Sequence, residues 1–209
     1  ERENRVQELV FANEPNEKKK PALALKLARL VAASGDDARV VALLSPYADL
    51  RDANRCELLL DLGYALCRLH RNSPSAAAYD RGRRFLEEAL GVCESKETPF
   101  VPHLRKRESL HSRALARLGW ALEAISGEEH EARRYYQRAH EHEPANPYYL
   151  ANMLGFEMFS ARENDLPASM RTMIREAVKT CRRHAVAGIE LPYAYFTAGR
   201  LSLLLEKGD

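Results

Sequence analysis

The chain has 209 residues, 45% of them hydrophobic and 30% charged, with a formal net charge of +2. That apolar share excludes a disordered chain, and the near balance of charge gives no bulk electrostatic signal for nucleic acid. No segment approaches the roughly 18 uninterrupted apolar residues of a membrane span, so none is expected.

Ten prolines punctuate the chain, at 15, 21, 46, 74, 99, 102, 144, 147, 167 and 192. A proline inside a helix costs about 3 kcal/mol, so each marks a loop or a first turn. The segments between them are expected to be helices, near 2–13, 19–33, 37–45, 52–71, 75–92, 104–126, 128–142, 147–161, 167–187 and 191–207. Their apolar residues recur at i, i+3, i+4 and i+7. In 54–70 these are Leu58, Leu59, Leu62, Ala65, Leu66 and Leu69. In 109–125 they are Leu110, Ala114, Leu115, Leu118, Leu122 and Ile125, and in 191–205 Ala194, Tyr195, Ala198, Leu201, Ser202 and Leu205. Alternation of period two is missing over any useful length, so the expected class is all-α. Short connections make neighbouring helices antiparallel.

Self-similarity comes next. Segments beginning at Gly82, Ala132 and Met170 align without gaps, and each follows a helix with a mid-helix glycine, at Gly63, Gly119 and Gly155. A fourth glycine, Gly199, lies in the last helix. A helix-interior glycine costs about 1 kcal/mol relative to alanine, so its repetition predicts a packing reason such as close approach of a partner helix. Ala89, Ala139 and Ala177 are the matching small positions on the second helices.

The best copy runs Leu115, Leu118-Gly119 and Leu122, then Ala132, Tyr136 and Ala139, then Pro144. It resembles the tetratricopeptide repeat, with one inserted residue and Leu122 in place of an aromatic. The resemblance covers 55–209, while 1–54 reads as further helical hairpins that do not align. It implies one domain over 1–209, a right-handed superhelix (α-solenoid) of antiparallel hairpins with irregular repeat lengths. A single hairpin cannot bury its own apolar face, and stacking makes a continuous core. The first residue is not Met and the last lies just past a helix, so the chain reads as part of a longer protein.

The resemblance also implies a function, a protein-interaction module that holds a peptide or partner domain in a concave groove lined by the first helices. Carried over, the groove residues are Glu57, Asp61 and Tyr64, then Arg113, Arg117 and Trp120, then Tyr149, Asn152 and Phe156, then Tyr193, Phe196 and Arg200. Arginine offers a fork of donors to carboxylates, and aromatic rings bring contact area at low entropy cost. Some family members clamp a terminal carboxylate with Lys, Asn and Arg, but here Leu60 and Tyr64 replace the expected Lys and Asn. Self-association, or packing on another domain of the same chain, is an alternative use of the groove.

Enzyme and cofactor motifs are missing: no Gly-rich phosphate loop, His-Glu-x-x-His or Gly-x-Ser-x-Gly occurs. His140 and His142 are two apart, which does not place them on one helix face, so they read as a polar helix end favoured by the dipole. Cys181 precedes Arg182, Arg183 and His184, a setting that lowers a thiol pKa if exposed but reads more simply as a solvated basic turn. Lys18-Lys19-Lys20 and Arg105-Lys106-Arg107 are basic clusters, each beside a glutamate, with no regular base-reading repeat. An RNA-binding helical repeat is therefore the secondary reading, together with a regulatory segment of a larger signalling protein. Cys56, Cys67, Cys93 and Cys181 are widely spread, which fits a reducing, cytoplasmic setting.

Overall fold

The computed structural model describes residues 2–95, 104–160, 166–189 and 192–206, with the side chains of 2–4, 104–108 and 156–160 outside that description. The described residues are helical throughout, without a strand. The helices are α1 (Arg2–Ala12), α2 (Lys20–Ala33), α3 (Asp37–Leu44), α4 (Arg55–Leu69), α5 (Ala77–Glu94), α6 (Leu104–Leu122), α7 (Glu129–His142), α8 (Pro147–Ser160), α9 (Ala168–Val186) and α10 (Tyr193–Glu206). None of the described helices is long and apolar enough to cross a membrane.

The punctuation works as the chemistry of proline dictates. Pro21 opens α2, Pro147 opens α8, and Pro167 stands at the N-cap of α9. Pro46 turns the end of α3 into a short 3₁₀ segment, Ser45–Tyr47. Asp36 caps α3, its side chain accepting from the Arg39 N–H at 3.0 Å. This satisfies one of the free donors of the first turn.

The helices group into two compact units, Glu1–Ala132 and Arg133–Asp209. In the first, Ala24, Leu27, Val31, Val40, Leu44, Leu58 and Leu62 form a core between α2, α3 and α4. A fully buried leucine contributes about 1.5–3 kcal/mol, so these positions fix the register of the helices. Helices α4 and α5 run antiparallel: Cys56 meets Cys93, Gly63 meets Gly82, and Cys67 meets Tyr79. Helices α4 and α6 run parallel, with Asp61 paired to Arg117 and Tyr64 to Trp120. Tyr79, fully buried on α5, donates its hydroxyl to the Ala121 carbonyl at 2.5 Å and ties α5 to α6.

In the second unit, Leu150, Ala151 and Leu154 of α8 pack with Ile174, Ala177 and Val178 of α9 and Leu201 of α10. Ala89, Ala139 and Ala177 are all buried, as their place in the repeat alignment predicts.

Three local expectations fail. Leu69 is exposed because it is the last residue of α4, past the stretch that α5 covers. Tyr195 is 63% exposed, since the buried stripe of α10 runs through Ala194 and Leu201 and each residue step turns about 100° off it. The mid-helix glycines do not share one packing role. Gly63 abuts the backbone of α5, whereas a methyl at Gly155 would meet the flexible Arg200 side chain, and one at Gly199 would meet nothing within 4 Å.

Candidate functional site

On α4, Leu58, Leu62 and Leu66 turn into the core, and a second stripe carries Glu57, Asp61, Tyr64 and Arg68. Steps of four, three and four residues put these four on one face. On α6 the same spacing aligns Arg113, Arg117 and Trp120. The parallel course of the two helices brings the stripes together rung by rung.

Asp61 is the hub. Its Oδ1 accepts from Arg117 Nη1 at 2.7 Å and its Oδ2 from Arg29 Nε at 3.1 Å. Arg29, from α2, also pairs with Glu57, whose side chain is buried. Burial by itself pushes the Asp61 carboxyl up, but Arg117, Arg113 and Arg29, with the Arg117 hydrogen bond, outweigh it and hold Asp61 below the ordinary carboxylate value. Glu57 and Asp61 are therefore inside the cluster rather than on an open groove wall, each engaged by arginine.

Above this cluster lies a stack of cations and rings. The Arg117 guanidinium is 4.6 Å from the centre of the Tyr64 ring, and Tyr64 meets Trp120 edge to face at 5.0 Å and 67°. Arg71 lies 3.9 Å over the Trp120 ring and donates from Nη1 to the Trp120 carbonyl at 2.9 Å. Arg68, beside Tyr64, pairs with Asp37 at 3.1 Å. Each cation sits where the negative face of a ring attracts it, and the stack holds Tyr64 and Trp120 half-buried.

Arg113 differs from its neighbours. Its Nε and Nη2 are shut off from solvent and have no hydrogen-bond partner. Burial, then the adjacent positive charge of Arg117, hold its pKa below the ordinary arginine value, partly offset by Asp61 and Glu57. A desolvated donor without an acceptor costs about 1–3 kcal/mol, more when charged.

The structure thus brings Glu57, Asp61, Tyr64, Arg113, Arg117 and Trp120 into one site in the first unit. Arg29 and Arg71 complete it and were not expected; Arg29 lies in the region that does not align with the repeats. The other five expected residues with described side chains lie in the second unit. Tyr149 and Asn152 are half-buried on α8, and Tyr193 and Arg200 are exposed on α10. Arg200 reaches back across α8, its Nη2 2.5 Å from where a methyl on Gly155 would stand. Phe196 is 66% exposed, and the Phe156 side chain lies outside the described residues.

Two side-chain readings need correction. His140 is buried rather than part of a solvated helix end, its Nδ1 unpartnered, and burial lowers its pKa, so it does not serve the helix dipole as a cation. Cys181 is fully buried on α9, and burial raises its pKa; the arginines beside it in sequence point elsewhere on the helix. The Arg105-Lys106-Arg107 cluster lies outside the described side chains. Among the described residues no group of three or more His, Cys, Asp or Glu converges as a metal site would. No family model matches the chain, and neither the curated proteins nor the solved structures give a match.

Proposed function

We propose that the chain is a protein-interaction module, a right-handed solenoid of tetratricopeptide-like hairpins, and that its first unit takes an acidic peptide segment against α4 and α6. The observation that carries this reading is Arg113. Its guanidinium is desolvated and lacks partners at two nitrogens, within a cluster of three arginines (29, 113 and 117) facing two carboxylates (57 and 61). A peptide carboxylate supplies the missing acceptor in a bidentate pairing. Turning the long Arg113 side chain towards a ligand breaks no hydrogen bond at Nε or Nη2. The Tyr64–Trp120 pair beside it offers a rigid apolar surface for the residues that flank the carboxylate.

The test is selection from a random peptide-display library on the wild-type protein and on Arg113→Gln. Enrichment of Asp- or Glu-containing peptides on the wild type, lost on the variant, is the expected result. Trp120 is the single tryptophan, so its fluorescence reports binding of each selected peptide at the site. Equal enrichment on both proteins, or none on the wild type, overturns the reading.

A further inference from the structure

Cys56 and Cys93 lie away from the charged stripe, where α4 meets α5. Both are free thiols, 0% and 4% exposed. Their Sγ atoms are 3.2 Å apart. A disulfide needs about 2.05 Å, so the bond requires an approach of about 1.2 Å shared between two side chains. Cys67, by contrast, directs its Sγ to the Tyr79 carbonyl at 3.7 Å.

We propose that Cys56 and Cys93 form a reversible disulfide that staples α4 to α5, with a low-molecular-weight disulfide such as oxidised glutathione as the oxidant. Cys93 stands one residue from the last residue of α5, where helices fray and a buried thiol becomes reachable. Its thiolate attacks one sulfur of the small disulfide, forming a mixed disulfide and releasing one small thiolate. Cys56 then attacks the Cys93 sulfur, closes the protein disulfide and expels the second small thiolate. The protons of the two cysteines end on the two released thiols, and two electrons pass from the protein to the small disulfide. Cys93, near the end of α5 and 4% exposed against 0% for Cys56, is the more reachable thiol and the first to react. The partners are 37 residues apart in sequence, so the bond restricts a sizeable loop of the unfolded chain.

The experiment treats the folded chain with oxidised glutathione, quenches by alkylation after unfolding, and measures the intact mass and the linked peptides. The expected product carries two alkylated cysteines instead of four, a peptide linking residues 56 and 93, and an unfolding midpoint raised by about 5–10 °C. Cys93→Ala is expected to keep three alkylatable thiols, and Cys56→Ser to stop at a glutathione adduct on Cys93. Four alkylatable cysteines after treatment, a persistent adduct in the wild type, or a linkage that survives in Cys93→Ala overturns the proposal.

Discussion

Gly63 and Gly82 face each other across α4 and α5, each with its carbonyl oxygen where the other would carry a side chain. A methyl on Gly63 would lie 2.7 Å from the Gly82 oxygen, and one on Gly82 would lie 2.8 Å from the Gly63 oxygen. The helices touch backbone to backbone, and a backbone cannot step aside as a side chain tip can. Gly63→Ala and Gly82→Ala are each expected to cost about 1–3 kcal/mol despite the helix propensity of alanine. Gly199→Ala meets nothing within 4 Å and is expected to gain up to about 1 kcal/mol. Urea unfolding midpoints separate the two behaviours, and a stabilised Gly63→Ala variant contradicts the close contact.

The Arg113 side chain sets stability against binding. Its charge is held in place without hydrogen bonds at Nε and Nη2, and its surroundings disfavour the charged form. Arg113→Met keeps an unbranched apolar stem and removes the unpaired donors. The expected outcome is a gain of about 1–3 kcal/mol in stability together with loss of acidic-peptide binding. Chemical denaturation and Trp120 fluorescence titration measure the two effects on one sample. A variant that is both less stable and unable to bind points to a purely structural arginine.

Tyr79 tests the tie between α5 and α6. Its hydroxyl is buried and donates to a carbonyl near the end of α6. Burial pushes its pKa up to about 12, so the hydroxyl stays protonated as a donor well above neutral pH. Tyr79→Phe keeps the ring and leaves the Ala121 carbonyl without this donor, at an expected cost of about 1–2 kcal/mol. An unchanged unfolding midpoint argues against the bond.

Much of the site was legible because the repeat alignment carries a register. Gly63 and Gly119 are 56 residues apart, and so are Asp61 and Arg117, and Tyr64 and Trp120, which meet in the structure. Aligning glycines therefore aligned the rungs of the site. Helix positions were legible because prolines and 3.6-residue periodicity are local signals. What stayed hidden depends on contacts distant in sequence. Arg29 reaches Asp61 from 32 residues away in a region without repeat register, and nothing in its own helix marks it. The Cys56–Cys93 pairing needs the antiparallel offset of α4 and α5, which no motif encodes. Cys181 and His140 were read from charged sequence neighbours, but adjacent helix residues point in different directions, and burial decided their chemistry.

Asp61 is expected to govern the acid limb of stability. Its folded-state pKa lies below its unfolded value of about 3.9, because three arginines favour the carboxylate more than burial opposes it. A depressed carboxylate pKa contributes stability that is fully present above the unfolded value. That contribution is lost as pH falls through the folded value, where the folded state also takes up the proton. Wild-type stability is therefore expected to fall below about pH 4, with part of the slope owed to this one group. Asp61→Ala leaves Arg117, Arg113 and Arg29 with only Glu57 in the cluster, and removing one partner of a buried ion pair costs about 3–5 kcal/mol at neutral pH. The variant should lose less of its remaining stability than the wild type between neutral pH and pH 3. Thermal unfolding of both proteins across that range measures the difference, and parallel curves would show that the arginines do not hold Asp61 ionised.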